Sequence, residues 1–141
     1  MKIAKNFYWE MGHRLPNHKG LCKNLHGHSY KMRVELEGQL NENNMLIDYY
    51  DLSKIVNKII EPFDHAFLCE KEDKLVLDFL QQNGFKTLLF HTSSTVENIT
   101  YYMLDLLAEE LRSYINIEKI TVRIYETSDV YAEASQVIKS T

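Results

Sequence analysis

Apolar and polar residues alternate along the first part of this chain. Phe7, Trp9 and Met11 fall on one side of the first twelve residues. In 29–37, Tyr30, Met32, Val34 and Leu36 face one way and Lys31, Arg33, Glu35 and Glu37 the other. Period-two alternation is the mark of a half-buried strand, so these segments read as an antiparallel pair. The period then changes. Leu52, Ile55, Val56, Ile59 and Ile60 recur at i, i+3, i+4, i+7 and i+8, which predicts a helix capped by Asp48 or Asp51 and stopped by Pro62. A shorter helix is expected over 72–83, ended by Gly84. Ser94-Thr95-Val96-Glu97 has the form of a capping box opening a long helix through Ile99, Met103, Leu107 and Leu111. Ile120, Val122 and Ile124 alternate as a third strand, and 130–138 reads as a fourth.

The order is strand, strand, helix, a variable middle, helix, strand, strand. It predicts an α+β fold in which two amphipathic helices cover one face of a four-stranded antiparallel sheet. The second face still carries aromatic residues, so a homo-oligomer is expected. With 141 residues and 45% hydrophobic composition, a single domain over 1–141 fits the core this chain can build. There is no repeat or linker. A net charge of −4 argues against nucleic-acid binding. Two cysteines without a disulfide framework, no leader-like start and no membrane-length apolar run predict a cytoplasmic protein.

The candidate chemistry starts with His13 and with His26-Gly27-His28. Residues i and i+2 of a strand point to one face, so His26 and His28 can reach one ion, and His13 on a paired strand completes a set of three. Three neutral imidazoles with a vacant fourth position suit catalytic zinc. A His-x-His pair alone is weak, since two strand histidines facing water and a third packed in the core would look the same. Cys22, delivered beside them by the turn-rich stretch Pro16–Gly20, has two readings. It is a thiolate nucleophile or base, or it is a fourth ligand that closes the site. Asp64-His65 can form a proton-transfer dyad, and Glu126 is a carboxylate at the end of the third strand that would want paired donors if buried.

Six short segments in order give these residues a context: Trp9-Glu10-Met11-Gly12-His13-Arg14-Leu15, Cys22 through Tyr30, Leu46-Ile47-Asp48, Phe63-Asp64-His65, Ser94-Thr95-Val96-Glu97-Asn98 and Tyr125-Glu126-Thr127. Together they resemble the 6-pyruvoyltetrahydropterin synthase / 6-carboxytetrahydropterin synthase family across nearly the whole chain. The resemblance implies the tunnelling fold (T-fold), with strands of three subunits joining into a barrel and two trimers forming a hexamer. It implies zinc on His13, His26 and His28, and Cys22 as the catalytic cysteine rather than a ligand. Asp64 and His65 become its acid–base partners, usually across a subunit boundary. Glu126 becomes the pterin anchor and part of the catalytic set, with Thr95 and Glu97 near the pterin. For Glu97, helix capping and pterin binding both stay open.

The implied substrate is 7,8-dihydroneopterin triphosphate. One branch of the family eliminates triphosphate and gives 6-pyruvoyltetrahydropterin. The other also releases acetaldehyde and gives 6-carboxytetrahydropterin, a precursor of 7-deazaguanine and queuosine. The short spacing from Cys22 to His26 and the stretch Gly12-His13-Arg14-Leu15-Pro16 resemble the bacterial carboxy branch, whereas Ser94–Asn98 resembles the animal version. The carboxy branch is the expected one; the pyruvoyl enzyme and a non-catalytic pterin- or zinc-binding module are the alternatives. Departures from the family pattern are Trp9 for Phe, Met11-Gly12 for Ala-Ala, Cys69 for Asn, an ending unlike the usual one at Tyr131–Ala134, and a longer stretch at about 70–91.

Overall fold

The computed structural model describes residues 1–138; the last residues of the expected 1–141 span, 139–141, lie outside the described residues. Strands β1 (Lys2–His13) and β2 (His26–Gly38) pair antiparallel in unbroken register, from Lys2 opposite Glu37 to His13 opposite His26. Strand β5 (Ile117–Tyr125) pairs antiparallel with β2, and β6 (Tyr131–Val137) with β5. These are the four expected strands. Their alternation sends Phe7, Trp9, Met11, Met32, Val34, Leu36, Ile120, Val122 and Ile124 into one core.

The sheet has six strands, not four, in the order β4-β3-β1-β2-β5-β6. Strand β3 (Ala66–Glu70) lies parallel to β1, and β4 (Thr87–Phe90) lies parallel to β3. The physical reason is burial on both faces. In Ala66-Phe67-Leu68-Cys69, Leu68 enters the main core while Cys69 and Phe67 pack into a second cluster. Such a strand is a short apolar run with no period-two signal.

Helices α1 (Tyr49–Ile60) and α3 (Val96–Leu111) cover the main core, as expected. Asp48 caps α1 by accepting the Tyr50 N–H at 2.8 Å. The cap of α3 lies one residue beyond the predicted box: Thr95 Oγ1 accepts from the Asn98 N–H at 3.3 Å. Glu97 therefore stands in the first turn, exposed and without a capping bond among the described residues. A third helix, α2 (Lys74–Gln82), connects β3 to β4. It buries Val76, Leu77 and Leu80 against Cys69 and Phe67, on the opposite face of β3 from Leu68. Gly84, with φ of +70°, supplies the left-handed turn after it.

The face of the sheet away from α1 and α3 is polar over β2, β5 and β6. Arg33 pairs with Glu35 at 3.0 Å and Arg123 with Glu133 at 2.8 Å, and Lys31 lies over the Tyr125 ring. No helix among the described residues is long and apolar enough to cross a membrane.

Candidate metal centre and active site

The β1–β2 register sets the site. His13 is directly opposite His26, and His28 follows two residues along on the same face. Ring centroids lie 4.7 Å apart for His13–His26, 5.2 Å for His13–His28 and 5.0 Å for His26–His28. One nitrogen from each ring falls within 4.8 Å of the other two, close enough to hold one metal ion.

Two rings are oriented from behind. A carbonyl oxygen can only accept, so the contact of 2.9 Å between His13 Nδ1 and the Ser94 carbonyl oxygen places the proton on Nδ1. His26 Nδ1 likewise donates to the Asn24 carbonyl oxygen at 2.8 Å. Both rings keep the Nε2 lone pair for the centre, the arrangement that metal-binding histidines commonly use. The Nε2 atoms of His13 and His28 are buried and have no hydrogen-bond partner among the described residues. Buried polar atoms without partners are rare, and a bound cation would satisfy them. Burial pushes the His13 pKa down to about 4, opposed by the Ser94 hydrogen bond and reinforced by His26 and His28. His28 is also lowered, mainly by burial and against the pull of Glu126. Neutral imidazole is the ligand form, so this donor set fits zinc.

Glu126 follows the end of β5, and its Oε1 lies 3.3 Å from His28 Nε2, without the alignment of a hydrogen bond. It lines a cleft of about 510 Å³ with His28, Lys31 and Thr127. A second cleft of about 340 Å³ is also lined by His28, together with Glu10, Gly27, Ser29 and His65. His65 Nδ1 lies 3.0 Å from Asp64 Oδ1, so the two side chains are in contact. Both dock on Glu10: its N–H donates to Asp64 Oδ1 at 3.0 Å, and its carbonyl accepts from the His65 N–H at 2.7 Å. The Glu10 hydrogen bond, followed by the His65 contact, holds the Asp64 carboxyl below the usual range despite some burial. His65 adopts a left-handed backbone, with φ of 59°, as the chain turns into β3.

Cys22 is a free, half-buried cysteine on a one-turn 3-10 helix, Leu21–Lys23. It is not part of the histidine set. Thr95 caps α3 immediately after Ser94, while Glu97 points away into solvent exposure. The structure thus groups the three histidines with Glu126, forms the Asp64–His65 pair separately, and carries Cys22 on its own turn.

Sequence reasoning did not find the groups behind the site. Ser94 is fully buried, and beyond its contact to His13 its Oγ donates to the Arg14 carbonyl at 3.3 Å. Asn24 acts through its backbone, which no sequence pattern reveals. Arg14 grips Asp73 with two hydrogen bonds of 2.7 Å and donates to the Lys23 carbonyl at 3.2 Å. The Arg14 side of this pair was visible in the motif after His13, but its partner lies in the variable middle.

A model of the 6-pyruvoyl tetrahydropterin synthase family matches residues 2–136. The chain is 34% identical over 140 residues to the 6-carboxy-5,6,7,8-tetrahydropterin synthase of Haemophilus influenzae, covering 94% of this chain and 96% of that protein. It is 33% identical over 133 residues to a putative 6-carboxy-5,6,7,8-tetrahydropterin synthase of Archaeoglobus fulgidus, covering 94% of each. The fold is similar to that of Plasmodium falciparum 6-pyruvoyl tetrahydropterin synthase, with a TM-score of 0.77, 19% identity and 98% of each chain covered. It is also similar to the Caenorhabditis elegans 6-pyruvoyl tetrahydropterin synthase, with a TM-score of 0.71, 23% identity, and 96% of this chain and 95% of that one covered. The matches span nearly the whole chain, and the chain belongs to the 6-pyruvoyl tetrahydropterin synthase family.

Proposed function

We propose that this chain is a zinc-dependent lyase converting 7,8-dihydroneopterin triphosphate and one water to 6-carboxy-5,6,7,8-tetrahydropterin, acetaldehyde and triphosphate, in the route to 7-deazaguanine and queuosine. The observation that carries the reading is the gathering of His13, His26 and His28, two of them tautomerically fixed with Nε2 free. The curated relatives at 34% and 33% identity, both named for the carboxy product, favour that branch.

His13, His26 and His28 would hold the zinc. Bound there, it would supply Lewis-acid chemistry to the side-chain oxygens of the substrate and make the neighbouring C–H protons more acidic. Cys22, as thiolate, moves a proton on that side chain. His65 is its acid–base partner, and Asp64 fixes the His65 ring through the contact of 3.0 Å. Glu126 accepts the paired N–H donors of the pterin ring. Thr95 belongs to the segment beside the pterin. Glu97 is the weakest of the substrate contacts, since it is exposed in this chain taken alone.

In one chain Cys22 lies on its own turn, and the exposed His65 and Glu126 line two different clefts. A homo-oligomer in which a neighbour supplies the dyad would bring them to one substrate. A dimer of trimers, with three sheets joined at their edges into a barrel, would also cover the edges that β4 and β6 leave open.

Purified zinc-loaded protein incubated with dihydroneopterin triphosphate should release acetaldehyde and triphosphate in equal amounts. Triphosphate without acetaldehyde would assign the pyruvoyl reaction instead. Neither product from a folded, zinc-loaded oligomer would leave a binding module.

A further inference from the structure

The 3-10 turn that carries Cys22 has little of its own to hold it in place. None of its residues is buried, Gly20 before it gives no side-chain cap, and Leu21 is 86% exposed. Its other hydrogen bonds run to the backbone or to nearby residues: Leu15 N–H to the Cys22 carbonyl at 2.8 Å, Asn24 N–H and Nδ2 to the Leu21 carbonyl at 3.0 Å each, and Lys23 N–H to the Gly20 carbonyl at 3.4 Å. The side-chain bond from outside the turn comes from Arg14. Its Nη1 donates to the Lys23 carbonyl at 3.2 Å, while Nε and Nη2 hold the two oxygens of Asp73, each at 2.7 Å.

Asp73 is a firm anchor. It is 7% exposed and stands at the N-cap position of α2, where its carbonyl accepts from Leu77 N–H and its own N–H donates to the Glu70 carbonyl. Among the described residues, Arg14 makes the only hydrogen bonds that join the 70–91 stretch to the loop bearing Cys22. The two also approach at two clefts, one of about 350 Å³ lined by Leu25, Leu75 and Phe79 among others, and one of about 260 Å³ lined by Leu15, His18 and Glu70 among others. A guanidinium holding a carboxylate with two parallel bonds fixes direction as well as distance, which an ammonium cannot do.

We propose that Arg14, oriented by Asp73, is a positioning residue that holds the Cys22 turn in register with the histidine set. The 70–91 stretch thereby acts on the reaction without touching the substrate. This rests on the reading of Cys22 as the proton-moving group. A thiol displaced by about an ångström from its productive position loses roughly a hundredfold in rate.

The test uses the full-length zinc-loaded oligomer and two variants, Asp73→Asn and Arg14→Lys. Asn keeps the shape of Asp73 but not the charged, two-oxygen acceptor; Lys keeps the charge of Arg14 but cannot hold Asp73 and the Lys23 carbonyl together. Three readings are taken: zinc per chain, kcat and KM with dihydroneopterin triphosphate, and iodoacetamide alkylation at Cys22 and Cys69 followed by mass spectrometry. The expected result is unchanged zinc, kcat down about ten- to a hundredfold with KM little moved, and Cys22 alkylated several-fold faster while buried Cys69 stays unreactive. Asp73→Glu, which restores the charged fork, should recover part of both effects. Parent-like Cys22 alkylation in both variants would overturn the proposal. So would acceleration at Cys22 and Cys69 together, because that reports general loosening. If the parent protein has no lyase activity the functional reading fails, and the alkylation comparison still decides whether the clamp exists.

Discussion

His13 Nδ1 meets the Ser94 carbonyl oxygen at 2.9 Å across 81 positions of sequence. That contact ties the end of β1 to the residue before the α3 cap, and it commits the His13 Nε2 lone pair to the ligand set. Because the acceptor is backbone, Ser94→Ala keeps the orienting bond and should keep zinc near one per chain. His26→Ala leaves two imidazoles and should lose zinc and turnover together. Removing zinc from the parent with a chelator should also lower Tm. Free metal at a hundredfold over Kd stabilises the native state by about 2.7 kcal/mol, on the order of 5–10 °C for a chain of this size. Full zinc occupancy in His26→Ala by elemental analysis would refute the assignment.

Cys22→Ser separates the two readings of the cysteine. The Cys22 sulfur is outside the group of nitrogens that can share an ion, so its loss should leave zinc in place. A serine hydroxyl is a far poorer proton carrier near neutral pH, so turnover should fall at least a hundredfold. Coincident loss of metal in Cys22→Ser would show that the cysteine closes the centre as a fourth ligand.

The Arg14–Asp73 pair gives a pH dependence of stability with a definite sign. The Arg14 hydrogen bonds hold the Asp73 carboxyl below its ordinary value despite its burial. A depressed folded pKa means that the unfolded chain binds more protons in that range. The contribution of Asp73 is therefore complete above about pH 4 and is lost as pH falls through the folded value. Glu70 works in the other direction: burial raises its pKa, so its contribution is present below its ordinary value and fades as pH rises through the folded one. The two windows do not overlap. Asp73→Asn should cost about 2 kcal/mol near neutral pH, and in denaturant titrations its stability should depend less steeply on pH below 4 than that of the parent. Equal slopes for variant and parent in that range would show that Asp73 is not the titrating group.

The parts of this molecule legible in its sequence are those where one face is wet and the other dry. Strands β1, β2 and β5 and helices α1 and α3 carry that contrast, β6 alternates only between exposed and half-buried positions, and the histidine set follows from strand geometry alone. Strand β3 was hidden because Leu68 and Cys69 are buried on opposite faces, which erases the alternation. Helix α2 was expected from its period, but its side of the sheet depends on which face of β3 needed cover. The α3 cap shifted from Ser94 to Thr95 because Ser94 is engaged with His13 and Arg14. Backbone acceptors such as the Asn24 and Ser94 carbonyls leave no trace in side-chain identity, so the orientation of the histidine rings could be read only from the structure.

Glu126 is the residue whose two candidate roles lie nearest each other in space. Its Oε1 is 3.3 Å from His28 Nε2, and its side chain is 23% exposed, so it can turn toward a ligand in the adjoining cleft. As pterin anchor, its two oxygens accept from an amide N–H and an amino N–H, a bidentate match that bulk water competes with poorly. Glu126→Gln preserves size but replaces one acceptor by a donor, so one of the two hydrogen bonds becomes a donor–donor contact. The loss should be about 3 kcal/mol, roughly a hundredfold in kcat/KM. Zinc content should be unchanged, because three imidazoles complete the ligand set without the carboxylate. Loss of zinc from Glu126→Gln would instead make the carboxylate a ligand, with His28 as its neighbour in the coordination shell. Parent-like turnover with full zinc would remove both roles, and the pterin would have to be held by a group elsewhere in the cleft.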